Sequence, residues 1–206
     1  FWQPCFRPIA MPVALKSGML ADISIVEAVA ASIRELALTP YVLDPVMVAT
    51  SGDALLSSEA IAAIRDTLIP LSTLVTPNLD ETELLVGGVV RDVFTMKAAA
   101  ELLVRKYGAR AALVKGGHLE GEDAVDVLYC EGETKVFTHA RIATTSTHGT
   151  GCTLSSAITA QLALGVPLVP AVRIALDYVH AAIKTAPGIG AGHGPVNHGA
   201  QVDRSW

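Results

Sequence analysis

Aromatic residues make up only 5% of the 206-residue chain, so the core it builds must be aliphatic. Cysteine is scarce. Cys5, Cys130 and Cys152 are too few and too far apart for a disulfide framework or a zinc site, and this usage points to a reducing cytoplasm. No basic run is present and the net charge is −5, which argues against a nucleic-acid groove because that needs clustered Lys and Arg. A nucleotide is not excluded, since backbone N–H groups and a metal can hold phosphates. Long uninterrupted apolar runs are also missing. The most apolar stretch, Thr159 to Leu176, is broken by Gly165, Pro167 and Pro170 and carries Arg173, whereas a membrane-spanning helix needs about 20 apolar residues in a row. The chain starts at Phe1 rather than Met, and residues 1–12 hold three prolines and no period. They lack the charged start and apolar stretch of a signal peptide and read as an atypical N-terminal segment ahead of a single domain over residues 13–206.

What is present is a strand–helix alternation. Short apolar strands are expected at Val13–Leu15, Tyr41–Asp44, Thr73–Thr76 and Ala111–Lys115. Between and after them lie helices capped by Asp22, Ser58 and Thr95, a short helix over Asp80–Val86, and long helices over Gly151–Leu164 and Val169–Ala186. Ala124–Cys130 and Lys135–Thr138 read as a hairpin turning at Glu131-Gly132-Glu133. This order predicts a three-layer α/β/α fold with a mostly parallel central sheet and an antiparallel addition at one edge.

In such sheets ligands bind beyond the carboxyl ends of the strands. Three strands lead there into polar residues: Asp44, Asn78 with Glu81, and Lys115. A fourth element, His148-Gly-Thr-Gly-Cys152, opens a helix with small residues and unpaired N–H groups suited to an anion. Helix N-termini favour the thiolate form of cysteine, and a thiolate at Cys152 could take a proton from an attacking hydroxyl; the competing reading is a small buried hydrophobe. Asp44 and Glu81 could hold Mg²⁺ directly or through water, or merely cap helices. Lys115 could neutralise a transferring phosphate, or merely snorkel to water. His118, His148, His193 and His198 do not have the short paired spacing of zinc ligands and read as loop residues.

Seven segments in order give the chain a resemblance to the hydroxymethylpyrimidine/phosphomethylpyrimidine kinases of thiamine biosynthesis, in the ribokinase-like superfamily. They are Ser17-Gly-Met-Leu20, Leu43-Asp-Pro-Val-Met-Val-Ala49, Ser51-Gly52, Thr76-Pro-Asn78 with Glu81, Val114-Lys-Gly-Gly-His118, Thr147-His-Gly-Thr-Gly-Cys-Thr-Leu154 and Gly192-His-Gly-Pro-Val-Asn-His198. The resemblance implies ATP-dependent phosphorylation of 4-amino-5-hydroxymethyl-2-methylpyrimidine and then of its monophosphate, with Mg²⁺. It implies that Gly149, Thr150 and Gly151 form the anion hole and that Cys152 is the catalytic base. Asp44 and Glu81 correspond to positions near the metal, and Lys115, Asn78 and Glu81 to nucleotide-phosphate positions. Met19 and Val46 correspond to the lining of the pyrimidine pocket. It further implies a soluble, cytoplasmic enzyme whose partners are the small pyrimidine and ATP, not nucleic acid or membrane, and which pairs as a homodimer. Such kinases begin with a strand, a Gly-rich loop and a pyrimidine-binding glutamine, about 60 residues or two βαβ-sized pieces, that do not match here. The chain is therefore expected to be an N-terminally truncated version whose activity stays open. Two alternatives stand beside this reading: a pyridoxal/pyridoxine kinase, and a nucleotide-binding remnant without catalysis. Ser17 also departs from the larger apolar residue or threonine usual at its position.

Overall fold

The fold follows from short strands that are apolar toward both faces, as parallel strands covered on each side must be. In a computed structural model that describes residues 12–49, 55–117, 119, 121–189 and 192–201, one six-stranded sheet has the order β1 (Leu15–Ser17), β2 (Tyr41–Leu43), β3 (Leu74–Val75), β4 (Ala111–Gly116), β5 (Asp123–Cys130) and β6 (Glu133–Ala140). β1 to β4 run parallel, and β5 and β6 are antiparallel additions. The hairpin turns on Glu131 and Gly132, both in the left-handed region, as a two-residue turn matched to strand twist requires.

Successive residues point to opposite faces, and two cores result. Tyr41, Leu43, Val75, Ala112 and Val114 pack with α1 (Ile23–Glu35), α2 (Ser58–Ala63), α3 (Leu79–Val86) and α4 (Val93–Arg105). Val42, Leu74, Ala111 and Leu113 face α5 (Thr150–Ala163) and α6 (Leu168–Lys184). Arg173, the charge inside the apolar stretch, lies over the Phe137 ring at 4.6 Å, a cation–π contact that lets it share the apolar layer. Among the described residues no helix is long and apolar enough to cross a membrane.

Several boundaries differ from the sequence expectation. β1 lies two residues later than Val13–Leu15, because its register is set by pairing Leu15 with Tyr41. The cap of α2 is Ser57, whose hydroxyl accepts from the Ala60 amide at 3.3 Å, rather than Ser58. Beyond Ala63 the expected helix widens into one π turn over Ile64–Leu68 and tightens into a 3₁₀ turn at Ile69–Leu71. Thr95 is the third residue of α4 and completes a reciprocal capping box with the true cap, Asp92. The expectations on Phe1–Met11 (Cys5 included), Ser51-Gly52 and His118 lie outside the described residues.

Candidate active site

Asp44 follows β2 directly and is only 1% exposed. Its two carboxylate oxygens collect donors from four elements. Oδ1 accepts from Lys115 Nζ at 3.1 Å and from Thr76 Oγ1 at 3.3 Å. Oδ2 accepts from Ser155 Oγ at 3.0 Å, with Lys16 Nζ at 3.9 Å. Lys16 in turn donates to Ser155 Oγ at 3.0 Å. A carboxyl group this deep needs charge and hydrogen bonds around it, and here it has both. The strand ladder itself aims these groups, because Asp44 N donates to Ser17 O and Thr76 N to Leu43 O.

Glu81 sits on the first turn of α3, 3% exposed, in a reciprocal capping box. Its Oε2 accepts from Asn78 N at 2.7 Å while Asn78 Oδ1 accepts from Glu81 N at 2.8 Å. Burial pushes its pKa upward, against the pull of Lys115 and the Asn78 amide. For Lys115 burial acts against the charge, but Asp44, then Glu81, outweigh it and hold the ammonium above the usual lysine range. Lys115 thus stays cationic between two acids.

α5 lies over this cluster. Its cap, Gly149, has φ +83, a conformation that costs glycine nothing. A Cβ on Gly151 would come within 3.2 Å of Lys115 Nζ, so the ammonium lies directly against the first turn. Among the described residues no hydrogen bond uses the amides of Gly151 or Cys152, leaving them for an anion. Cys152 is exposed on that turn. One turn further along the same helix, Ser155 accepts from Lys16 and donates to Asp44. The preceding loop is braced by the C-terminal tail: His148 N donates to Gly194 O at 3.1 Å, and Gly194 leaves no room for a Cβ, which would lie 2.9 Å from Ser146 Oγ.

The structure thus brings Asp44, Glu81, Asn78, Lys115 and the Gly149–Cys152 turn to one rim. Val46 is half-buried just beyond Asp44, and Met19 is exposed just beyond β1. The donor set fits Mg²⁺ of one kind. Both Asp44 oxygens and one Glu81 oxygen already accept hydrogen bonds, and no group of three ligating side chains exists among the described residues. This suits an ion that arrives with phosphates and keeps its waters, not a protein cage. Clefts of about 620 and 570 Å³ flank α3, bordered by Leu84 and Val89 in one and by Arg91 and Leu119 in the other; neither is lined by Asp44 or Lys115.

The pattern of the family described as phosphomethylpyrimidine kinase matches residues 9–197. The chain belongs to the phosphomethylpyrimidine kinase family. It is 50% identical over 189 residues to the hydroxymethylpyrimidine/phosphomethylpyrimidine kinase of Rhizobium meliloti (strain 1021), covering 90% of this chain and 70% of the relative. Among solved structures it is similar to the pyridoxal kinase of Staphylococcus aureus in complex with AMP-PCP and pyridoxal. That match has a TM-score of 0.85 at 33% identity, over 92% of this chain and 68% of that one. It is also similar to phosphomethylpyrimidine kinase from Clostridium difficile 630, with a TM-score of 0.73 at 37% identity, over 84% and 69%. The three-layer ribokinase-like fold expected from the sequence is therefore the fold of this family.

Set within the phosphomethylpyrimidine kinase family, three polar residues of the rim were not singled out from the sequence, Lys16, Ser155 and Asp126, and Thr76 had no role there beyond its place in the Thr76-Pro-Asn78 segment. Lys16 lies inside a three-residue strand, where a cation is out of place unless turned to a partner. Ser155 is three residues past Cys152 and shares its helix face. Asp126, 9% exposed and opposite Lys115 on β5, accepts from Gly116 N at 3.0 Å. Ser17, the departure from the family pattern, shares a 2.6 Å hydrogen bond with the buried Tyr41 hydroxyl. Burial pushes the Tyr41 pKa up to about 12, with the Ser17 bond pulling the other way.

Proposed function

We propose that the protein transfers the γ-phosphoryl group of ATP to the hydroxymethyl group of 4-amino-5-hydroxymethyl-2-methylpyrimidine, and then to the resulting monophosphate. The observation that carries this reading is the Asp44–Lys115 pair set against the open amides of Gly151 and Cys152. In the first step the alcohol oxygen attacks the γ-phosphorus, its proton passes to the Cys152 sulfur, and ADP leaves with the electron pair of the broken P–O bond. The open amides of the Gly149–Cys152 turn, those of Gly151 and Cys152, hold the charge that develops on the phosphoryl oxygens, and Lys115 offsets charge on the nucleotide. Mg²⁺ bound with the nucleotide would be held through water by Asp44 and Glu81 and would neutralise phosphate charge. Met19 and Val46 line the pyrimidine side, and Asn78 keeps Glu81 in place through the capping box. Cys130 and Cys152 are free thiols, which fits a cytoplasmic setting.

A pyridoxal kinase is the second reading, favoured by the TM-score of 0.85 to the Staphylococcus aureus enzyme. The 50% identity to a curated pyrimidine kinase weighs more than backbone similarity between enzymes of one fold. The test is an ADP-release assay with the pyrimidine alcohol and pyridoxal in competition, on the wild-type protein and on Cys152→Ala. Wild type should prefer the pyrimidine, and the variant should lose about 100-fold or more of turnover, the scale of a lost general base, while binding ADP as before. Preference for pyridoxal, or near-normal turnover by Cys152→Ala, would refute the assignment or the role respectively.

A further inference from the structure

The two lysines of the rim are not equivalent. Lys115 bonds Oδ1 of Asp44 at 3.1 Å and lies against Gly151. Lys16 comes from β1, on the other side of β2, and stands 3.9 Å from Oδ2. Among the described residues its ammonium makes one hydrogen bond, to Ser155 Oγ, so two of its three N–H groups remain to donate. Its side chain is 22% exposed against 15% for Lys115. The ammonium folds back over Gly18, where a Cβ would stand 3.6 Å from Nζ, and Gly18 directly precedes Met19, which the proposed function puts on the acceptor side. Transfer to a neutral alcohol gives such a cation no partner. The second step is different, because its acceptor is a phosphate monoester carrying about −1.5 to −2 charge near neutral pH. That dianion must approach the already anionic γ-phosphoryl group. An oxygen of the monoester then attacks the γ-phosphorus, a P–O–P bond forms, and the P–O bond to ADP breaks with its electron pair leaving on ADP. The dianion has no proton to surrender, so here charge neutralisation replaces proton abstraction as the requirement.

We infer that Lys16 is the acceptor-side cation that admits the phosphate monoester, and so sets the ratio between the two phosphorylations. The inference rests on the proposed pyrimidine kinase activity. Lys115 serves the donor nucleotide and Lys16 the acceptor phosphate, with Asp44 and Ser155 holding the two apart.

The experiment measures kcat/KM for the alcohol and for the monoester separately in wild type, Lys16→Met and Lys16→Arg. In Lys16→Met the monoester-to-alcohol ratio should fall at least about tenfold, the loss expected for one charge-assisted hydrogen bond, and Lys16→Arg should recover most of it. An unchanged ratio in Lys16→Met overturns the inference. A readout on unaltered protein covers the case in which the variant does not fold. Amine acetylation of Lys16, followed by mass spectrometry, should be slowed by the monoester and not by the alcohol. Protection by AMP-PCP instead would assign Lys16 to the nucleotide and overturn the proposal. Wild type that phosphorylates neither acceptor sinks the proposed function itself, an outcome separable from a failed ratio.

Discussion

At the scale of single residues, the site is built against the stability of its own groups. Glu81 shows this most directly. Burial raises its pKa above the ordinary 4.5 even though Lys115 and the Asn78 amide pull it down. The folded state therefore binds the Glu81 proton more tightly than the unfolded chain does. Stability from that carboxyl is fully present below 4.5 and is lost as pH rises through the folded value. At pH 7 the ionised side chain is a net liability. Glu81→Gln keeps the capping box, because its amide oxygen can accept from Asn78 N, and sheds the charge. It should melt at a higher temperature than wild type at pH 7, with the gap closing as pH falls toward 4.5 and with turnover reduced throughout. A wild type more stable than Glu81→Gln at pH 7 would show that Lys115 outweighs burial. The legibility of these residues was uneven for a physical reason. Asp44 and Lys115 stood out because a buried apolar strand makes any charge within or behind it conspicuous. Lys16 and Ser155 did not, since their separation of 139 positions along the chain puts their partnership beyond any local pattern, and a serine inside a helix carries little signal on its own.

At the scale of elements, two glycines separate packing from conformation. Gly116, at the end of β4, has no space: a Cβ would lie 2.1 Å from Val125 O and 2.8 Å from Met96 Cε. Gly149 has ample space, with nothing within 4 Å of such a Cβ, but φ +83. Gly116→Ala must push β5 away and break the Lys115–Asp126 register, so overpacking should cost about 3 kcal/mol or more. Gly149→Ala should cost about 1–2 kcal/mol, the penalty of left-handed backbone, and should fold while losing affinity for ADP as the α5 turn shifts. Chemical denaturation and nucleotide titration of both variants check this, and equal losses of stability would contradict it. The same distinction explains which boundaries could be read beforehand. Asp22 was legible because one residue does the work, its carboxylate accepting from Ile25 N at 3.1 Å. Caps with a rival nearby were not: Ser57 stands beside Ser58, and Asp92 is answered by Thr95. The π turn after α2 has no local sequence mark at all, because it is the burial of Ile64, Leu68 and Ile69 that shapes the chain there.

At the scale of the whole molecule, the polar rim is where the two helical layers meet. α3, on one face of the sheet, contributes Glu81; α5, on the other, contributes Ser155 and the Gly151 turn; Asp44 and Lys115 come from the sheet between them. The apolar cores are separated by the strands, and among the described residues the bonds that tie the sheet to α5 at this rim converge on Ser155, one from Lys16 and one to Asp44. Removing the acid's charge leaves Lys16 and Lys115 without the carboxylate they share. Breaking a buried pair in this way costs about 3–5 kcal/mol. A protein of this size loses roughly 2–4 °C of Tm per kcal/mol, so Asp44→Asn should melt about 6–20 °C lower. ADP at about 100 times its Kd adds about 2.7 kcal/mol to wild type, a rise of roughly 5–11 °C by the same conversion. In Asp44→Asn that rise should shrink to near zero, since Lys115 and the α5 turn no longer hold the spacing a phosphate needs. Calorimetry with and without ADP measures both quantities on the same two proteins. A variant that melts lower but keeps its full ADP response would mean that Asp44 braces the layers without organising the anion site. One that melts like wild type would mean that the lysines find their counter-charge in Glu81 alone.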